Sequence, residues 1–405
     1  MLPPTDEPRS ASDAASLRGR AIVIVSSIDW SFLWQGHQEI ASRLAVLGNN
    51  VLFVENTGVR TIHWSDFGRI VRRLAHLLQQ SRRDGREVAP GVTVVAPFLL
   101  PFPRSRFARF LNERFLLPRL VRGLRRLGAR DPVLFSFLPT PTAVRLVEEL
   151  ATPHSIVVYY CIADFEELSD LGADLQSSEE RLARRADLVL VQSEKFGDRL
   201  RPFNANIHEV QFGVNLDLFD PSKTTKVPPA LAALPRPILG YSGGLHRFVD
   251  FELLRDVARA YPAGSLVLVG PLQSPPGELR NEANVHFLGP VGIRALPSLV
   301  AAFDVALIPY RLATYTDTVF PTKLYEYLAM GRPVVSTDLP EVRKLGLPPF
   351  AVRLAAHGDR FVAVIAEAIR DQDSAMAAQR ARLARRRDWR PIVEEIAGLI
   401  AEARR

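Results

Sequence analysis

Residues 317–337 read DTVFPTKLYEYLAMGRPVVST, and this stretch decides how the second half of the chain folds. Pro321 suits the first turn of a helix, where its missing N–H is no loss. Thr322 to Met330 are mostly good helix formers. Gly331 supplies the stop, Pro333 prevents resumption, and Val334-Val335 opens an apolar run. The pattern predicts a loop, a helix over 322–330, a sharp turn and a buried strand. Lys323 falls in the first helical turn, where the helix dipole disfavours a cation. An anion bound there resolves the conflict, because backbone N–H groups and the ammonium then face one negative charge. Glu326 follows on the same face. A capped core helix with an exposed Lys323–Glu326 pair is equally compatible with these residues.

Working outward, apolar runs and helical spacing alternate through the same half. Strands are predicted at 238–242, 265–269, 285–288, 304–308, 334–337 and 350–354. Helices are predicted at 250–260, 294–302 and 359–371, a basic one at 375–387, and an amphipathic one at 391–404. The first half shows the same alternation, with strands at 21–27, 51–55, 92–96, 132–136, 156–160, 188–191 and 207–210, and a helix at 35–47. Between the halves, PSKTTKVPPALAALPRP at 221–237 loses periodicity and reads as a linker. The expected organisation is a disordered tail at 1–19, an α/β domain at 20–220, the linker, a second α/β domain at 238–387, and a C-terminal helix at 388–405. Two doubly wound Rossmann-like domains of this kind are expected to face a central cleft, with ligands at strand carboxyl ends.

Composition bounds the function. At 405 residues the chain is long for one core, and its 47% hydrophobic and 23% charged content is ordinary for a globular protein. No apolar run approaches the roughly 20 residues of a membrane span. The single cysteine, Cys161, excludes an intrachain disulfide and a multi-cysteine metal site, and a cytoplasmic location is the expectation. Arginine makes up 46 of the 51 basic residues, a bias that reads as genomic. The few lysines are therefore more informative, and at Lys323 a compact point charge suits a phosphate.

Several residues could carry chemistry. After strand 238–242, Gly243-Gly244 would let backbone approach a ligand, with His246 and Arg247 close behind; a plain tight turn fits the glycines as well. Tyr310 and Arg311 belong to the same sheet edge. In the first half, IDWSFLWQGHQ at 28–38 stands where a nucleotide-binding fold carries a glycine-rich loop. Trp30, Trp34, Gln35, His37 and Gln38 could stack on and hydrogen-bond a sugar, or the tryptophans could anchor the loop in the core. The absence of GxGxxG disfavours a nicotinamide cofactor. Asp164, just past strand 156–160, is a candidate base or sugar acceptor, or else a helix cap. No metal-ligating pattern is present, and no metal or other cofactor is expected. Residues 103–130 hold nine arginines and one acid, Glu113, interleaved with apolar residues; 69–83 has the same character. Both could lie on an anionic membrane, or be solvated helices packed on the core of an arginine-rich protein. No nucleic-acid-binding motif accompanies them.

Together these stretches resemble the GT-B glycosyltransferases, in particular the bacterial group 1 (GT4-like) family. The resemblance is carried by LVQSEKFGDRL at 190–200, QFGVNLDLF at 211–219, GYSGGL at 240–245 and, most specifically, PTKLYEYLAMGRPVVST at 321–337. It implies that Glu326, matching the second glutamate of the family's EX7E motif, holds the ribose of a nucleotide-sugar donor. Lys323 and the amides around Thr322 would meet the diphosphate, Gly243 and Gly244 would face it, and Asp164 would fall in the catalytic region. The chain departs from the family at the first EX7E position, which is Thr318, and at Ala163, where a histidine is usual. His246 and Arg247 stand imperfectly for the family's Arg/Lys phosphate pair.

The implied function is transfer of a sugar from a nucleotide diphosphate sugar to an acceptor hydroxyl, on a cell-surface or lipid-linked glycan precursor. Retention of configuration is implied, at a site peripheral to the inner face of the plasma membrane. A nucleotide-sugar epimerase on the same fold and a non-catalytic glycan- or nucleotide-binding protein are the alternatives.

Overall fold

A computed structural model describes residues 17–56, 85–100, 105–165, 173–223, 226–356, 358–371 and 373–404. The basic segment 69–83 lies outside these residues, as do positions 103 and 104. Two compact units emerge: Met1–Gln211 with Arg390–Arg405, and Phe212–Trp389. The division falls ahead of the 221–237 stretch, which holds a short helix, Pro229–Ala232.

The first unit is built on an eight-stranded sheet. Its strands are β1 (Ala21–Val25), β2 (Asn50–Val54), β3 (Arg86–Ala89), β4 (Val92–Val95), β5 (Val133–Ser136), β6 (Ile156–Cys161), β7 (Leu188–Val191) and β8 (Ile207–Glu209), ordered β3-β4-β2-β1-β5-β6-β7-β8. All neighbours are parallel except β3, which pairs antiparallel with β4. Past the first residues of β1 and β2, strands β1, β2, β5, β6 and β7 are buried throughout, which is why they read as unbroken apolar runs, whereas β4 alternates and β8 is only half-buried to exposed. β3 escapes that pattern. Its Arg86 and Glu87 are exposed at the sheet edge, where charge blunts further pairing.

The second unit carries six parallel strands: β9 (Ile238–Ser242), β10 (Ser265–Val269), β11 (Val285–Gly289), β12 (Val305–Ile308), β13 (Val334–Thr337) and β14 (Val352–Ala355). Their order, β11-β10-β9-β12-β13-β14, reverses direction between β9 and β12. That reversal leaves a crevice at the carboxyl ends of these two strands, the usual ligand position in an open α/β sheet. The expected helix at 294–302 is instead a 3-10 turn, Ile293–Ala295, followed by a short helix, Leu296–Val300. Pro297 explains the break, since it is tolerated only in a first turn.

The expected basic helix at 375–387 forms as Ser374–Ala384, and it is not simply a solvated face. Arg380 is 1% exposed. Its Nε donates to the Phe350 carbonyl at 2.6 Å and Nη1 to the Gly331 carbonyl at 3.1 Å, while Nη2 reaches the Asp371 carbonyl. One guanidinium thus fastens the turn after the helix Lys323–Ala329, the approach to β14 and the end of the helix Asp359–Arg370. Arg380→Met should leave three carbonyls without their donor and lower the stability of the second unit by about 3 kcal/mol, read as a shifted urea midpoint.

Candidate functional site

The second unit gathers most of its candidates at the β9–β12 reversal. Gly243 follows β9 with φ of 142°, and Gly270 follows β10 with φ of 139°. A Cβ on Gly270 would lie 1.9 Å from the Gly243 carbonyl oxygen, so the two backbones pass too closely for a side chain at 270. A Cβ on Gly243 would fall 2.9 Å from Cε and 3.2 Å from Nζ of Lys323. The end of Lys323 therefore occupies the space that the missing side chain at 243 leaves.

Two tyrosines hold the ammonium there. Lys323 Nζ donates to Tyr310 Oη at 2.5 Å. It lies 5.1 Å from the ring centroid of Tyr241 and 5.0 Å from that of Tyr310, within cation–π range. Tyr241 Oη donates to the Gly244 carbonyl at 3.0 Å. A third phenol, Tyr327, lies on the helix Lys323–Ala329 and accepts from the Ser242 N–H at 2.8 Å and its hydroxyl at 3.1 Å. Burial pushes the Tyr327 and Tyr241 phenols up, so both stay protonated. The conflict between Lys323 and the helix dipole is thus answered within the chain, by a phenol oxygen and two ring faces.

The remaining donor-side candidates are arranged around this core. The His246 ring is 5.7 Å from that of Tyr310, and its Nδ1 accepts from the Phe248 N–H at 3.2 Å. Arg247 is exposed and rests 4.8 Å over the Phe248 ring, which stacks on Tyr315. Arg311 has its N–H on the Phe248 carbonyl at 2.8 Å and its side chain exposed. Thr318 is 5% exposed and donates to the Tyr315 carbonyl at 3.1 Å, so its hydroxyl closes its own turn. Thr322 precedes the helix with no side-chain cap bond, and Glu326 is half-buried one turn on. Sequence reasoning missed Gly270, Tyr241 and Tyr327. Only Gly270 left a signal, as the glycine that ends the buried run SLVLV.

In the first unit, the loop after β1 is held by its own polar groups. Trp34 Nε1 donates to Glu39 Oε1 at 2.8 Å, and the Trp30 N–H donates to Glu55 Oε1 at 2.9 Å. Trp30 packs edge-on against Phe53 and Trp34. Gln38 and His37 correct the expectation of direct sugar contacts, since both are 0% exposed. Gln38 accepts from the Gln35 N–H and donates to the Trp30 carbonyl, spending its amide on the loop. His37 packs on Phe137 with Nε2 3.2 Å from Ser27 Oγ. Gln35 is exposed, and the two tryptophans are half-buried.

Asp164 sits on the margin of a buried ionic cluster. Its Oδ1 is 3.9 Å from Arg199 Nη1, and Arg199 Nη2 donates to Glu179 Oε1 at 3.1 Å. The same oxygen accepts from Tyr159 Oη at 2.5 Å and faces Cys161 Sγ at 3.6 Å. Burial pushes the Glu179 carboxyl up, against the pull of Arg199. Among the described residues no group of three or more His, Cys, Asp or Glu could hold a metal ion.

Residues 236–372 match the family described as glycosyl transferases group 1. The chain superposes on solved GT-B structures. Sucrose-phosphate synthase from Thermosynechococcus elongatus gives a TM-score of 0.65 at 19% identity over 93% of this chain and 97% of that one. Anabaena Alr3699/HepE in complex with UDP-glucose gives 0.65 at 18% identity over 93% and 98%. Residues 236–372 thus resemble group 1 glycosyl transferases, and the fold is that of the GT-B structures. A putative teichuronic acid biosynthesis glycosyltransferase, TuaH of Bacillus subtilis, is 29% identical over 55% of this chain and 58% of its own length. The segment matched to that family contains Gly243, Tyr310, Lys323 and Glu326 together.

Two outcomes follow from this geometry. Gly270→Ala should destabilise the second unit by about 3 kcal/mol through overpacking and strained φ. Gly244→Ala should be milder, because its Cβ would meet only the flexible end of Gln273 at 3.2 Å; paired urea titrations compare them. For His37, burial lowers the pKa from 6.5 to about 3. The unfolded chain therefore takes up the proton first, and stability falls as pH drops below 6.5, by up to about 1.4 kcal/mol per pH unit. His37→Phe should remove that component, seen as a smaller difference between denaturation midpoints at neutral and acid pH.

Proposed function

We propose that the chain is a glycosyltransferase that moves a sugar from a nucleotide diphosphate sugar to an acceptor hydroxyl. The observation that carries this reading is the Lys323 ammonium lodged against Gly243 at the β9–β12 reversal. As the glycosidic bond to the donor breaks, the leaving diphosphate gains negative charge. A fixed cation beside a side-chain-free backbone stabilises that charge more in the transition state than in the ground state. Gly243 and Gly244 let the phosphates approach, and His246 and Arg247 add nearby donors. Glu326 accepts hydrogen bonds from the ribose hydroxyls. The solved Alr3699/HepE complexes, with UDP, with UDP and glucose, and with UDP-glucose, support a nucleotide-sugar donor.

On the acceptor side, Asp164 orients or deprotonates the incoming hydroxyl, with Trp30, Trp34 and Gln35 offering stacking and hydrogen-bonding surface. A cell-surface polysaccharide or lipid-linked glycan is the proposed acceptor class, supported by the name of the TuaH relative. The reaction proceeds with retention, without a metal, in the cytoplasm.

The test is a donor screen followed by kinetics. One of UDP-, GDP- or dTDP-sugars should stabilise the protein, by about 2.7 kcal/mol at a hundredfold excess over its Kd, and CMP-sugars, which carry no diphosphate, should not. Lys323→Ala should then lower kcat/KM by about 100-fold, and Tyr310→Phe by about tenfold through a less fixed ammonium. Conversion of donor alone to an epimer, with no acceptor present, would sink the transferase reading.

A further inference from the structure

The segment 105–126 sorts its apolar residues in a way that a core-packing helix does not explain. A helix at Arg106–Leu111 passes into a π-helical turn, Asn112–Leu116, and then into the helix Leu117–Arg126. Leu117, Val121 and Leu124 face inward and are buried in the core of the first unit. The three largest apolar side chains do the opposite. Phe107 is 70% exposed, Phe110 57% and Phe115 54%.

The π turn is what brings these rings together. In a regular α-helix, residues five apart lie about 140° apart around the axis. A turn bonded i to i+5 returns them to the same side. Leu117 N–H accordingly donates to the Asn112 carbonyl, and the Phe110 and Phe115 rings meet edge to face at 6.4 Å. Two features favour the widened turn. Pro118 has no N–H for the Arg114 carbonyl, and its ring crowds that oxygen. Asn112 is anchored inward, its carboxamide accepting from the Leu100 N–H at 2.8 Å and donating to the Leu100 carbonyl at 3.0 Å.

Positive charge surrounds the exposed rings. Arg106, Arg114, Arg119 and Arg122 are exposed, and Glu113 is the sole acid in this segment. Arg114 lies 5.5 Å over the Phe115 ring. Phenylalanine has no donor or acceptor with which to read a base edge or pair with a peptide side chain, so the rings need an apolar medium and the arginines need anions at its boundary. A negatively charged bilayer surface offers both at that spacing. We infer that this face of the first unit docks on an anionic lipid bilayer, with Phe107, Phe110 and Phe115 entering the boundary between headgroups and acyl chains and the flanking arginines meeting lipid phosphates. The inference stands independently of the donor-site reading.

Sedimentation of the full chain with phosphatidylglycerol-containing vesicles at low salt tests it. Wild type should bind these vesicles and not pure phosphatidylcholine. A Phe107→Ser, Phe110→Ser, Phe115→Ser triple variant should lose at least about tenfold in partitioning. An Arg114→Gln, Arg119→Gln, Arg122→Gln variant should bind less and with weaker salt dependence. All substituted side chains are exposed, so unfolding midpoints should match wild type. Should the triple variant misfold, Phe115→Trp provides a second measurement: its added indole fluorescence should be quenched by brominated phosphatidylglycerol. Failure of wild type to sediment with anionic vesicles, equal binding to neutral ones, undiminished binding of a folded triple variant, or an unquenched signal from the Phe115→Trp variant would each overturn the inference.

Discussion

The β9–β12 edge of the second unit depends on a steric constraint between two glycines. Gly270 passes so close to the Gly243 carbonyl that no Cβ fits between them. With that approach fixed, the turn after β9 has one course, and the room beside Gly243 is filled by Lys323 from a different element. Tyr327 locks the register from behind by bonding to Ser242, the last residue of β9. Tyr310, brought alongside from β12, takes the ammonium. The cation's position is therefore set by backbone contact and three phenols. A lysine ordered before any ligand arrives loses less rotamer freedom on binding than a solvated one.

The parallel sheets were readable because strands buried on both faces announce themselves as apolar runs with glycine and proline between them. The antiparallel β3 was not, because its exposed Arg86 and Glu87 carry no apolar signal. Pro297 was visible as a residue, yet its power to shorten a helix to five residues appears only with the local backbone in hand. Arg380 was hidden by its neighbours: in a chain where nearly every cation is arginine, one buried guanidinium cannot be told from the solvated ones. Lys323 and Glu326 were legible for the opposite reason, since lysine is rare here and the helix around them is sharply punctuated.

The loop after β1 shows why polar and aromatic composition alone is a weak guide to binding. Glutamine, histidine and tryptophan in one short stretch suggested sugar recognition. Much of that polarity is spent inward, with Gln38 satisfying backbone groups of the loop and Trp34 bonding Glu39. Buried loop backbone needs partners, and nearby side chains supply them first. The aromatic residues of 105–126 show the reverse case. There the π turn brings Phe110 and Phe115 together on the exposed side while Leu117, Val121 and Leu124 stay in the core.

The lone thiol has a consequence of its own. Cys161 is fully buried at the end of β6, beside Glu179 and Tyr159, and burial pushes its thiol up. Alkylating reagents and oxidants attack the thiolate, and here the native state offers neither the thiolate nor access to it. Labelling must wait for the first unit to open. The chain thus carries a built-in chemical clock: the rate at which its one cysteine is modified counts openings of the first unit and is blind to those of the second.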